Sequence, residues 1–242
     1  MSKFCNVARD AMITAMLVTL TGCGGGGGDD PPQSANPPPP SSPSPSPSPS
    51  PSPSPSPSPS PSPSVPPLST TVVDLSDNHT VGTTGQWPRG NSADGGQGSP
   101  VDGIECLLNM PEAYHVHTHL AIFIDGVQTA LPGNIGIHNQ EPSRCFYGMH
   151  THDESGKVHI EFAAPGTYTL GNFFHIWGQP LTADNFAGVT GKPIKIFATE
   201  NATTTEVAAA DWPSIELTSH KLITVQIGSD ISEIPNYNWN GN

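Results

Sequence analysis

The sequence has little positive charge, few cysteines and no long apolar segment, and these features limit the classes of protein to which it can belong. It carries 8 lysines and arginines against 21 aspartates and glutamates, for a formal net charge of −13 with histidine neutral. So acidic a chain lacks the basic surface that binds nucleic acids or anionic lipids, and it attracts cations instead. No apolar segment approaches the roughly 20 residues of a transmembrane helix. Composition therefore argues against nucleic-acid binding and against a membrane-spanning helix.

Residues 1–22 predict a lipoprotein signal peptide. Lys3 and Arg9 precede a short apolar run, and the segment Leu20-Thr21-Gly22-Cys23 matches a lipobox. Cleavage would leave Cys23 as a lipid-modified N-terminus, which anchors a protein stably when several acyl chains are attached. We expect an exported bacterial lipoprotein, held by this lipid on a membrane facing the periplasm or the cell surface. The alternative is an ordinary secretory signal with an incidental cysteine.

The next segments predict a tether that leads to one folded domain. Residues 23–67 are glycine-rich and then largely Ser-Pro repeats, a composition that forms no core and favours extended polyproline II. At about 3.1 Å per residue, thirty such residues would make a disordered stalk on the order of 90 Å long. Residues 68–100 are polar and predict irregular structure, with one edge strand at 70–75. Residues 101–242 form the expected histidine-rich β-domain.

Short apolar runs separated by turn residues indicate a mostly β fold. The turn signals are Asp-Gly, Pro-Gly and Ser-Gly pairs, and no long amphipathic helical pattern is present. The pattern predicts a sandwich or barrel of about seven strands, with one or two short helices at 172–176 or 182–186. The predicted strands are 114–124, 145–153, 157–162, 167–170, 193–199, 215–218 and 222–227.

Two of the four cysteines remain for the folded domain, because Cys5 leaves with the signal and Cys23 carries lipid. In an oxidising compartment the simplest prediction is a disulfide between Cys106 and Cys145. The alternative is that a thiolate binds metal, as in blue-copper sites. Cys145 lies only five residues before His150, so this alternative remains open.

His115, His117 and His119 alternate with β-branched residues in the predicted strand 114–124. Alternation places the three imidazoles on one face, with neighbours about 6.6–7 Å apart and the outer pair about 13 Å apart. Metal–nitrogen bonds are only about 2.0–2.1 Å long. An adjacent pair can therefore ligate one ion together, whereas all three cannot without a bend. The third histidine then either supports the pair or belongs to a second site.

The second cluster comprises His150, His152 and His159. The segment that carries it predicts a hairpin with its turn at residues 153–156. With a two-residue loop His150 opposes His159, and all three imidazoles share a face with Glu161. If Gly156 instead forms a bulge, the register shifts and His159 turns away. Isolated histidines such as His79 and His138 predict surface or hydrogen-bonded positions. His175 lies in an aromatic run, so we expect it to pack in the core or to support a metal ligand. We expect the same of His220, near the C-terminus.

Clustered imidazoles favour a transition metal ion, copper or zinc, over calcium or magnesium. Met149 beside the second cluster slightly favours copper. Glu161 and Asp153 are candidates to orient an imidazole through its other nitrogen. Glu161 is alternatively a candidate catalytic base beside a metal-bound water.

Several motifs in order resemble a family of exported bacterial proteins. They include His115-x-His117-x-His119-Leu120, and His150-Thr151-His152-Asp153-x-Ser155-Gly156-x-x-His159-Ile160-Glu161. The resemblance covers roughly residues 100–228 and implies a single histidine-rich β-domain, without an established activity to transfer. The His-x-His strand motif is also similar to those of α-carbonic anhydrases and cupins, whose other patterns this chain lacks.

Three functions follow as hypotheses. The first is a lipid-anchored protein whose β-domain binds copper or zinc for metal handling or sensing. The second is a metalloenzyme, either a hydrolase or hydratase with a metal-activated water or a copper oxidase, which needs an open coordination position. The third is a surface interaction module, for which the stalk is the only argument. The sequence identifies no protein partner.

Overall fold

A computed structural model of the chain describes residues 37–38, 65–76, 78–88 and 95–239. The chain divides into two units between Pro57 and Ser58. Every strand and helix described below lies in the second unit. The predicted signal peptide, Cys23 with its predicted lipid modification, and nearly all of the predicted stalk lie outside the described residues.

The described residues form a mostly β, sandwich-like fold, which confirms the predicted fold class. In chain order the strands are β1 (Leu68–Asp74), β2 (Cys106–Leu107), β3 (Tyr114–Ile124), β4 (Val127–Thr129), β5 (Ile137–His138), β6 (Cys145–Tyr147), β7 (Met149–His150), β8 (Lys157–Phe162), β9 (Leu181–Thr182), β10 (Asn185–Phe186), β11 (Val189–Thr190), β12 (Ile194–Glu200), β13 (Thr203–Val207), β14 (Leu222–Ile227) and β15 (Ile234–Asn238). Helix α1 spans Leu170–Trp177 and a 3-10 helix spans Ala209–Ser214.

The largest sheet has seven strands, in the order β13-β12-β14-β3-β8-β7, with β4 also paired to β3. Strand β3 is central because its two halves have different neighbours. Its first half pairs with β8 from Tyr114 to His119, and its second half pairs in parallel with β14 from His119 to Ile124. The histidines therefore lie in the half of β3 that connects β8 and β7 to the rest of the sheet.

The two faces of this sheet are buried by different layers. Even-numbered residues of β3, such as Leu120 and Ile122, join the main core with helix α1 and the 3-10 helix. Odd-numbered residues face the other way, where Ala121 packs with Leu75 and Tyr237 beneath the paired strands β1 and β15. The histidines of β3 are odd-numbered and share this second face.

Most strand predictions are confirmed, and the exceptions have local causes. Strands β3, β8 and β14 match their predicted bounds, while the predicted strand 145–153 is interrupted at Gly148 and ends at His150. The predictions at 167–170 and 215–218 were wrong. There Thr169 caps helix α1, and only one isolated bridge joins Thr169 to Glu216.

Helix α1 includes residues 172–176, which confirms the predicted short helix there. The Thr169 hydroxyl accepts a hydrogen bond from the Asn172 backbone N–H and stabilises the first turn. The alternative helix at 182–186 was wrong, since this segment contributes to the small sheet of β9, β10 and β11.

Cys106 and Cys145 form a disulfide, as predicted, with their Cα atoms 5.4 Å apart. It links β2 to β6 within the three-stranded sheet of β2, β6 and β5. Because Cys145 is bonded to Cys106, the alternative of a Cys145 thiolate ligand is wrong. The bond also secures β6, which leads directly into the strand that carries His150.

Candidate metal centre

Three adjacent strands bring the predicted ligands into rows across the sheet. His117 of β3 is the register partner of His159 of β8, and His159 is the partner of His150 of β7. In the next row His115 lies opposite Glu161. Since these residues share one face of the pleated sheet, their side chains converge although they are distant in the sequence.

The hairpin register agrees with the two-residue-loop prediction. Gly156 has a positive φ of +86°, yet His150 still faces His159 and no shift occurs at that pair. The connecting residues leave the ladder, because the Thr151 N–H donates to the Ile135 carbonyl instead of to β8. His152 therefore follows the end of β7, with its ring 4.5 Å from the His159 ring between centroids.

The first ligand group consists of His115, His117 and His159, whose ligand atoms lie within 4.8 Å of one another. The Nε2 atom of His117 is 3.0 Å from His115 Nε2 and 3.0 Å from His159 Nδ1. Two nitrogens bound tetrahedrally to one ion at about 2.0–2.1 Å lie roughly 3.3 Å apart. Imidazoles this close either share an N–H···N hydrogen bond or ligate one ion.

The second group consists of His150, His152, His159 and Glu161, again within 4.8 Å. His150 Nε2 lies 3.2 Å from His152 Nε2. Glu161 Oε1 is 3.3 Å from His159 Nδ1, 3.9 Å from His150 Nε2 and 3.1 Å from His115 Nε2. His159 belongs to both groups and Glu161 contacts members of both, so the two groups form one continuous cluster of ligand atoms.

Burial keeps three of these imidazoles neutral. Desolvation is the largest cause that lowers the pKa of His117, His150 and His159 to about 3 each. Repulsion between neighbouring imidazoles lowers them further, with His159 acting on His117 and His150, and His152 acting on His159. Neutral imidazole is the form that binds metal, so these side chains are ready to ligate at neutral pH.

His150 is oriented by the backbone. Its Nδ1 atom lies 3.0 Å from the Tyr147 carbonyl, which accepts its N–H. The other nitrogen, Nε2, then has a free lone pair and faces His152 and Glu161. A backbone acceptor on the second nitrogen is the usual way in which proteins fix the tautomer of a ligating histidine.

The structure places His119 outside both groups. Its Nε2 N–H donates to the Ser155 carbonyl at 2.8 Å, and its ring packs on Tyr237 with centroids 3.8 Å apart. Burial lowers the pKa of His119 to about 4. His115 and His117 thus act as the adjacent pair, while His119 lies on the same face beneath the β1 and β15 layer.

His138, His175, His220 and Met149 belong to neither ligand group. His175 is exposed and bonds Asp102 at 2.7 Å, so the predicted core position was wrong. His138 is buried and lies 3.2 Å from the Ser143 hydroxyl, whereas His220 stacks on Trp239. Met149 packs in the main core on the opposite face, which removes its argument for copper.

All members of the cluster except His150 line an open cleft of about 540 Å³. Its walls also include Met110, Glu112 and Lys157, which were not predicted as site residues. Alternation along β8 was the available signal for Lys157, because it places residues 157, 159 and 161 on one face. Nothing local to Met110 indicated a site, since it reaches the cleft through the loop before β3. Asp153 also lines the cleft, but its carboxylate accepts the backbone N–H groups of Ser155 and Asn78 and orients no imidazole.

Within the described residues, no helix is long and apolar enough to cross a membrane. Comparison of the chain with protein-family models, with curated proteins and with solved structures finds no match.

Proposed function

We propose that this protein is an exported, lipid-anchored metal-binding protein whose β-domain holds copper or zinc for metal handling or sensing. The observation that carries the proposal is one continuous cluster of five imidazoles and one carboxylate, of which all but His150 line a single cleft. Strands β3, β7 and β8 and the residues directly after β7 position these groups, which come from three separate parts of the sequence. A surface that is merely rich in histidine does not require such convergence.

The ligand chemistry supports a transition metal. Imidazole nitrogens suit zinc and copper, whereas calcium and magnesium prefer oxygen ligands. The cluster offers one carboxylate against five imidazoles, which disfavours the oxygen-preferring ions. The Met110 thioether in the cleft wall is a further soft donor group near the cluster and favours copper.

Export is supported by the lipobox at residues 20–23 and by the disulfide between Cys106 and Cys145. Disulfides persist in oxidising compartments and are rare in the cytosol. The Ser-Pro segment would then hold the domain away from the membrane, where the cleft meets external metal. The net charge of −13 favours the approach of cations.

The first test is elemental analysis of the full chain, purified without an affinity tag, together with electron paramagnetic resonance after addition of Cu²⁺. Stoichiometric copper or zinc supports the proposal and distinguishes the two metals. We expect the double variant His117→Ala with His150→Ala to lose this metal, because it removes one ligand specific to each group. The matched control is His175→Ala, an exposed histidine in neither ligand group. Absence of stoichiometric metal, with the double variant indistinguishable from the control, would overturn the proposal.

A metalloenzyme is the second candidate, favoured by the openness of the cleft beside Glu161. A catalytic site keeps one coordination position for water or substrate. Zinc-loaded protein would then hydrolyse 4-nitrophenyl acetate or hydrate carbon dioxide faster than metal-free protein. Glu161→Gln would slow that reaction with its zinc still bound. A zinc-loaded protein without either activity would leave the binding role as the function.

A further inference from the structure

A second cavity adjoins the metal centre and differs from it in chemistry. It has a volume of about 320 Å³ and lies beside the end of β8. Its lining is mostly apolar and includes Ile104, Leu107, Phe146 and Phe162. Both the size and the apolar lining are typical of pockets that bind small organic molecules.

The two cavities share a wall. Glu161 and Met110 line this apolar pocket and also line the histidine cleft. Glu161 is almost wholly buried and lies 3.1 to 3.9 Å from three imidazoles. A molecule in the apolar pocket therefore contacts a residue that itself contacts the candidate metal ligands.

Aromatic side chains give the pocket a flat wall. The rings of Phe162 and Tyr168 are stacked, with centroids 3.7 Å apart and planes inclined by 10°. The Tyr168 hydroxyl donates to the Ala164 carbonyl, so its polar end is already bonded. Such a surface favours a planar ring, because offset stacking and edge contacts between aromatic groups add to apolar burial.

The charged groups of the lining select against anions. Glu105 and Glu161 are both lining residues, and none of the described lining residues is a lysine, arginine or histidine. Arg144 packs over the Phe146 ring at 5.3 Å but does not line the pocket. Ionised carboxylates only accept hydrogen bonds, so a matching ligand carries a donor group.

Leu107 is a large apolar residue of the lining that is also exposed to solvent. It lines the pocket with 43% of its surface exposed, whereas the next residue, Leu108, is 73% exposed and does not line it. The apolar lining therefore reaches the protein surface at Leu107.

We propose that this pocket binds a small aromatic molecule that bears an uncharged or cationic donor group, a hydroxyl or an amine, beside Glu161. The apolar contacts do not require a metal ion. When the neighbouring cleft is loaded, the ligand lies next to the metal centre, with Glu161 and Met110 between them.

The test measures binding of three probes to the full chain by protein-observed nuclear magnetic resonance, first without metal and then with zinc. The probes are 4-methylphenol, benzylamine and 4-methylbenzoate. We expect 4-methylphenol or benzylamine to bind at least 10-fold more tightly than 4-methylbenzoate. Binding to the phenol but not the amine selects the hydroxyl as the donor, and the reverse selects the amine.

Two pairs of variants locate the binding. Ala163 lines the pocket, and its exposed neighbour Ala164 does not. Ala163→Trp should fill the cavity and weaken binding at least 10-fold, while Ala164→Trp should leave it within about twofold. Leu107→Ser should weaken binding in the same sense, with Leu108→Ser as its control. Circular dichroism checks that all four variants remain folded.

Failure of this inference is distinguishable from failure of the metal-binding proposal. If no probe binds, if 4-methylbenzoate binds as tightly as the others, or if Ala163→Trp behaves like Ala164→Trp, the pocket proposal is overturned whatever metal is bound. If the probes bind as expected to protein that takes up neither copper nor zinc, the pocket stands and the metal-binding proposal falls.

Discussion

The Nε2 atom of His117 lies 3.0 Å from the Nδ1 atom of His159, and these two residues are register partners on adjacent antiparallel strands. His159 is also the register partner of His150 on its other side. It is consequently the one histidine that belongs to both ligand groups.

The first prediction concerns this shared histidine. His159→Ala should lower the affinity of the full chain for zinc by more than about 10-fold, since loss even of a residue that only supports a ligand costs 10- to 100-fold. The effect should exceed that of His115→Ala or His152→Ala, each of which removes a ligand from one group only. Isothermal titration calorimetry measures both affinity and stoichiometry, with His175→Ala as the control. Equal losses for all three variants would contradict a shared role for His159.

The second prediction concerns stability and pH, and it uses His119 in the metal-free protein. Burial lowers the pKa of His119 to about 4, while an unfolded histidine titrates near 6.5. Between these values the unfolded chain binds a proton that the folded chain does not. The contribution of His119 to the free energy of unfolding should therefore be complete above about pH 6.5. It should fall by up to roughly 3 kcal/mol as pH drops towards 4.

His119→Gln provides the check, because glutamine does not titrate and can still donate to the Ser155 carbonyl. Urea unfolding at several pH values should give a flatter pH dependence for this variant than for the unmodified chain. The exposed His79→Gln serves as the control. His117, His150 and His159 add losses of the same sign, which also begin below about pH 6.5 and continue towards pH 3, because burial lowers the pKa of each to about 3. A variant whose curve parallels the unmodified one would contradict the role assigned to His119.

The candidate site was largely predictable because strand alternation is a local property. Residues 115, 117, 150, 159 and 161 share a face in the structure. Spacing indicated this within each strand, whereas the register between His150 and His159 depended on the turn at Gly156, which the sequence left open. The exclusion of His119 from both ligand groups could not be predicted in this way. It is covered by Tyr237, which lies far along the chain, and no local pattern reports that long-range packing.

Two other errors have different causes, one in strand alternation and one in the helical period. Met149 immediately precedes His150, so alternation alone places it on the opposite face, in the core. His175 lies among aromatic residues, but on a helix its side chain emerges between the buried residues Phe174 and Ile176 and reaches Asp102 instead. A residue flanked by apolar residues in the sequence can still be exposed on a helix, because successive side chains point in different directions around the helix axis.

The third prediction is that the disulfide stabilises the fold but is not needed for metal binding at the candidate metal centre. Cys106 and Cys145 are 39 residues apart, and closing a loop of that length stabilises a protein by about 4 kcal/mol in the chain-entropy model. The double variant Cys106→Ser with Cys145→Ser should lose stability of that order and should still bind metal below its melting temperature. Differential scanning calorimetry and metal analysis measure the two effects. Loss of metal from a variant that is still folded would mean that the disulfide positions the ligands.

The last prediction concerns Gly156, which connects the two halves of the second histidine cluster. Its φ is +86°, and a Cβ at this position would lie 2.7 Å from His119 Nε2 and 2.8 Å from the Leu120 carbonyl oxygen. Gly156→Ala therefore combines backbone strain with a steric clash, and each of these costs about 1–3 kcal/mol.

Gly188 makes it possible to separate the two contributions. It has nearly the same φ, +85°, but a Cβ there would meet nothing within 4 Å. Gly188→Ala should show the strain alone, and the additional loss in Gly156→Ala should report the contact with His119 and Leu120. Because the Gly156 carbonyl also accepts the Leu120 N–H, we expect metal affinity to fall in Gly156→Ala and to remain unchanged in Gly188→Ala. If the two variants lose equal stability and both retain metal, the close approach of Gly156 to His119 does not hold the hairpin in place.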